Sequence, residues 1–119
     1  MQPIINQPDP AREFMTPEGC AILESWNNAV DGEVSIARAT VAPGVTTQPH
    51  RLRDVVERYL VIQGSGRVRV GDLEQDVRPG DVVLIPANVA QQISNTGVSE
   101  LMFYCICSPR FTPQCYEAL

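Results

Sequence analysis

From residue 20 onward the chain is cut into short apolar runs by Gly, Pro, Asn and Asp: CAILESW, VSIARATVAPG, VTTQPHRL, ERYLVIQGSG, RVRVGD, DVVLIPA, QQISNTG and LMFYCICSP. β-Branched residues crowd these runs, and no segment keeps a helical period over three turns. The rhythm predicts consecutive strands and turns, hence an all-β sandwich or barrel. In RPGD, residues 78–81, Pro79 presets the second turn position and Gly80 supplies the positive φ of a type II turn at the third, delivering Asp81 into the strand VVLIP. GSG at 64–66 reads as hairpin turn chemistry and not a phosphate cradle, since no helix follows it. Residues 1–19, with Pro3, Pro8, Pro10 and Pro17, read as an extended arm ahead of a single barrel domain over 20–119. The closing SPRFTPQCYEAL is expected to contain a short helical turn.

With 119 residues there is enough chain for one core and not for two. A net charge of -5 gives no basic field to collect phosphates, so neither nucleic acid nor an anionic membrane is expected as a partner. All nine basic residues are arginine, which excludes lysine Schiff-base chemistry. The first twenty residues lack a basic start followed by an apolar run, and no window is apolar enough to span a bilayer; a cytoplasmic location is the expectation. Four cysteines in that compartment are expected as thiols. Cys105 and Cys107, two apart on one strand, share a side and act as small hydrophobes.

QPHRLRDVVERYLV, residues 48–61, holds the only histidine, seven residues ahead of a glutamate in an apolar run. If residues 46–52 pair with 55–61 around a turn at Arg53 and Asp54, His50 faces Glu57 and Gln48 faces Tyr59. Alternation then sends Thr46, Gln48, His50, Leu52, Val55, Glu57, Tyr59 and Val61 to one side, with Arg51, Arg53 and Arg58 on the other. A carboxylate on an apolar face needs a partner, and His50 or a metal ion would supply it. The pair is either a core hydrogen bond that sets register or the centre of a binding pocket at the mouth of a barrel.

The spacing of these residues resembles the cupin superfamily. Its first motif runs Gly, five residues, His, one residue, His, three or four residues, Glu, six residues, Gly, and this chain has Gly44, His50, Leu52, Glu57 and Gly64 at those separations. The second motif, Gly, five residues, Pro, one residue, Gly, two residues, His, three residues, Asn, is met by Gly80, Pro86, Asn88, Gln91 and Asn95. The resemblance implies a double-stranded β-helix, or jelly-roll, barrel. It also implies that the family's four metal-ligand positions fall on His50, Leu52, Glu57 and Gln91. Leu52 has no lone pair to give and Gln91 offers only an amide oxygen, so the resemblance implies a degenerate shell of His50, Glu57 and Gln91 that holds iron, manganese, nickel or zinc weakly.

The expected function is therefore binding of a small molecule in a polar pocket lined by Gln48, His50, Glu57, Tyr59, Gln91 and Phe103. The alternative is an enzyme on the same fold, a metal-dependent oxygenase or a metal-free isomerase or lyase with His50 and Glu57 as catalytic residues. A sensor or accessory subunit is a third reading. Barrels resembling this one commonly pair sheet to sheet, and LMFYCIC and ERYLVI are apolar on both faces, so a homodimer is expected.

Overall fold

A computed structural model describes residues 1–119. Eleven strands follow in order: β1 Phe14–Met15, β2 Ala21–Trp26, β3 Ser35–Val41, β4 His50–Leu52, β5 Val56–Gln63, β6 Gly66–Val70, β7 Leu73–Val77, β8 Val82–Ile85, β9 Gln91–Asn95, β10 Leu101–Ser108 and β11 Tyr116–Ala118. They form two antiparallel sheets, one ordered β1-β2-β3-β10-β5-β8 and the other β11-β4-β9-β6-β7. No α-helix interrupts them, and the architecture is the expected jelly roll.

The inner faces follow the alternation of the sequence. On β5, Glu57, Tyr59 and Val61 are buried, while the residues between them are half-buried. Val41, Val61, Ile85, Ile93, Leu101 and Phe103 anchor the main core, each 2% exposed or less. Each such aliphatic side chain contributes roughly 1.5–3 kcal/mol by leaving water. A second, smaller cluster of Leu52, Val55, Cys107 and Cys115 packs with Phe111 and Tyr116.

Two expectations about connections are overturned. Residues 46–52 and 55–61 do not form a hairpin: β4 lies in the five-stranded sheet and β5 in the six-stranded one. Asp54, exposed and with φ +59, turns the chain from one sheet to the other. His50 therefore sits opposite Gln91 of β9 and Ala118 of β11, and Glu57 opposite Ile85 of β8 and Cys107 of β10. Both still point inward, because the two sheets turn their inner faces to one interior. GSG likewise joins β5 to β6 across the sheets and is not a hairpin. Gly64 adopts φ +84 there, against the backbone of Glu100 and Leu101.

Other turns form as read. Gly80 has φ +94, Asp81 N–H donates to Arg78 O at 3.0 Å, and the Asp81 carboxylate accepts from Arg78 N–H. Asn88, at the place of the second motif's glycine, also takes a left-handed conformation with φ +69, which Asn tolerates better than most residues. Its side-chain oxygen accepts from Asp54 N–H, tying the β8–β9 loop to the crossing after β4. The short helical turn near the C-terminus is Pro113–Cys115, and the chain then continues into β11, which the sequence reading did not anticipate.

Candidate functional site

A cavity of about 760 Å³ opens between the two apolar clusters. Its lining takes Ala39, Tyr59, Ile93 and Phe103 from the main core and Leu52 and Cys107 from the smaller one. Both terminal segments complete the wall, Phe14 and Glu18 from one end and Phe111 and Tyr116 from the other.

His50 enters this cavity from the start of β4. The partner it finds is Glu18, whose Oε2 lies 2.9 Å from Nδ1 with both side chains largely buried. The Gln48 carbonyl is a longer second neighbour of Nδ1 at 3.4 Å. Both neighbours are acceptors, so Nδ1 carries the proton. The ring stacks on Tyr116, centroids 5.0 Å apart, which fixes its plane. Burial pulls the His50 pKa down, but the hydrogen bond and charge of Glu18, with Glu57 adding to them, outweigh it and raise the pKa above 6.5.

Glu57 is 7% exposed, and its Oε1 has no hydrogen-bond partner. Oε2 accepts a weak hydrogen bond from the Cys107 thiol at 3.7 Å. Burial raises the Glu57 pKa above 4.5, against the opposing pull of the Gln91 amide and the His50 charge. Tyr59 O–H donates to Gln91 Oε1, and burial lifts its phenol well above 10.0. Gln91 Nε2 makes no hydrogen bond of ordinary geometry, although its amide lies close enough to Glu57 to oppose the rise in that carboxyl's pKa. Burial also raises the cavity thiols, Cys20 to about 12, so they stay protonated and unreactive at neutral pH.

Of the residues singled out from sequence, His50, Glu57, Tyr59 and Phe103 line the cavity. Gln91 is buried behind Tyr59 and does not reach the lining. Gln48 is a correction: its side chain is exposed outside the barrel. Strand β4 begins only at His50, after Pro49, so strand alternation does not extend back to residue 48. Thr47 points inward instead, exchanging hydrogen bonds with Ile93 of β9. Glu18 was missed altogether, because it lies 32 positions before His50 in a segment read as an extended arm and no periodicity links the two.

A family model for the cupin domain matches residues 37–107, from β3 into β10. The chain belongs to the cupin family. Along its whole length this cupin is 27% identical to an uncharacterised protein of Methanocaldococcus jannaschii, of which the alignment covers 97%. Among solved structures it superposes on a variant of Streptomyces PAC13 with uridine at a TM-score of 0.80, with 15% identity over 100% of this chain and 92% of the other. KdgF from Halomonas sp. matches at a TM-score of 0.76, with 15% identity over 86% of this chain and 89% of that one. At these identities the structural matches speak for the fold.

The donors of this cupin do not fit the family's metal shell. Leu52, at the second histidine position, is 3% exposed and packed with Val55 and Cys107. The oxygen of Gln91 is engaged by Tyr59. His50 and Glu57 remain, and two donors do not make the three- or four-ligand shell that a divalent transition metal takes. No group of three His, Cys, Asp or Glu side chains is arranged to hold an ion.

Proposed function

We propose that this cupin binds a small organic molecule inside its barrel, apolar along its body and hydrogen-bonding at the end that reaches His50 and Glu57. The observation that carries this reading is a mostly apolar cavity with His50 and Glu57 in its wall, where one buried oxygen of Glu57 lacks a hydrogen-bond partner. An unsatisfied buried polar atom costs about 1–3 kcal/mol, and a ligand group placed against it offsets that cost. The volume suits a ligand of one or two rings.

Uridine is the first probe, because PAC13, which shares the fold, was solved with it; a set of neutral aromatic fragments follows. A bound probe is expected to raise the melting temperature, by the equivalent of about 2.7 kcal/mol at a hundredfold excess over Kd. Ala37→Leu, which fills the cavity, is expected to abolish this shift, and Glu57→Gln to weaken binding about tenfold or more. Saturable binding untouched by both substitutions would place the ligand elsewhere and overturn the reading.

Dialysis against a chelator is expected to leave ligand binding and melting temperature unchanged. Elemental analysis for iron, manganese, nickel and zinc checks this. A stoichiometric metal that departs in His50→Ala would sink the metal-independent reading.

A further inference from the structure

Two ionisable groups of one cavity wall, His50 and Glu57, are each held by the protein at one atom and hydrogen-bonded to nothing at the other. His50 is held at Nδ1 by Glu18, 2.9 Å away, and no protein group hydrogen-bonds its Nε2. Glu57 is held at Oε2 by Cys107, and Oε1 has no partner. Glu18 is itself fixed: its carbonyl accepts from Gln48 N–H at 2.8 Å, and it lies in a tight turn closed by Thr16 N–H to Cys20 O at 2.9 Å.

We infer that His50 and Glu57 act as a proton-transfer pair on an enolisable carbonyl compound, with Glu18, hydrogen-bonded to Nδ1, as the positioning residue. This rests on the binding reading above and deepens it by naming the substrate class. The Glu57 carboxylate takes the proton from the carbon next to the carbonyl, and the C–H electron pair becomes the C=C bond of the enol. The carbonyl π pair moves to oxygen, which takes the proton from His50 Nε2. Glu57 is then a neutral acid and His50 a neutral imidazole. Return of both protons restores the ketone, or isomerises it if the carbon proton is delivered to a neighbouring position; nothing is oxidised or reduced overall. Burial raises Glu57 toward the working pH, where a carboxylate base is most effective, and Glu18 raises His50 so that it stays a donor.

The test uses 4-phenylbutan-2-one, a neutral enolisable ketone, in deuterated water, with loss of its α-proton signals followed by NMR. Exchange is expected about a hundredfold or more above buffer, rising with pH as Glu57 ionises and falling as His50 deprotonates above 6.5. Glu57→Gln, measured at ketone concentrations raised to saturate its weaker binding, is expected to return exchange to background. Glu18→Gln is expected to move the falling limb about one pH unit lower. Because His50 is the only histidine, nitrogen NMR of the wild-type protein reads its state directly, whether or not a variant folds; both ring nitrogens should be protonated at pH 6.

Ketone bound without exchange would overturn the proton-transfer pair and leave the binding reading intact. Ketone that does not bind, while uridine or an aromatic fragment does, overturns the substrate class and leaves the binding reading; a cavity that takes none of these probes overturns both. Exchange undiminished in Glu57→Gln, or an unprotonated Nε2 at pH 6, removes the assigned roles.

Discussion

Replacing Glu18 with alanine is expected to lower the free energy of unfolding at pH 6 by about 3 kcal/mol, among the largest effects of any polar substitution in this protein. The carboxylate and the imidazole are 13% and 7% exposed as side chains, so solvent screens their attraction only weakly. Removing the acid leaves a buried imidazole that must either lose its proton or remain charged without a partner. The pH dependence gives the sign. The folded-state pKa of His50 is raised, so the pair's contribution is fully present below the unfolded value of 6.5 and is lost as pH rises through the higher folded value. The gap between wild type and Glu18→Ala should therefore narrow on the alkaline side. Urea unfolding at pH 6 and again at pH 9 measures it; a gap that is absent at pH 6, or that widens with pH, would mean the ion pair does not form.

Gly64→Ala is expected to cost about 4 kcal/mol or more, enough to leave little folded protein in a domain of ordinary stability. Two effects combine. With φ +84, a residue bearing a Cβ is strained by about 1–2 kcal/mol. The added Cβ would also lie 2.6 Å from the Glu100 carbonyl oxygen and 3.0 Å from Leu101 Cα, both backbone atoms with no rotamer through which to retreat. Leu101 is fully buried, so relief by moving that strand would disturb the core. Gly44→Ala is the matched control: φ is +77, but nothing lies within 4 Å of the new Cβ. It should lose only the conformational part, and thermal melts of the two variants separate the contributions. Equal losses in both would show that the close approach at Gly64 carries no energy.

The fold was legible because period-2 burial is written locally. Glu57, Tyr59 and Val61 on β5 can be placed inward by counting, and RPGD declares its turn through Pro79 and Gly80. What counting does not say is which sheet a strand joins. In residues 46–61 alternation gave the inward face correctly for His50 and Glu57, yet gave the wrong neighbours, because an inward residue looks the same from either sheet of a jelly roll. GSG misled in the same way: positive φ at Gly64 serves a crossing as well as a hairpin. Gln48 failed for a different reason, since alternation holds only while the chain is extended and the strand had not yet begun. Glu18 was beyond reach because its contact with His50 closes a loop across two strands, and fourteen acidic residues offer no local sign of which one does so.

The ends of the chain meet at the chemistry. Glu18 comes in from one side of the imidazole, and β11 pairs with β4 and stacks Tyr116 on its ring from the other. Changing the side chains at these two positions would retune the cavity's proton affinity and shape through residues that lie outside the inner strands. In the proposed function, ligand fit is set partly by short outer stretches, while the inner strands supply the frame.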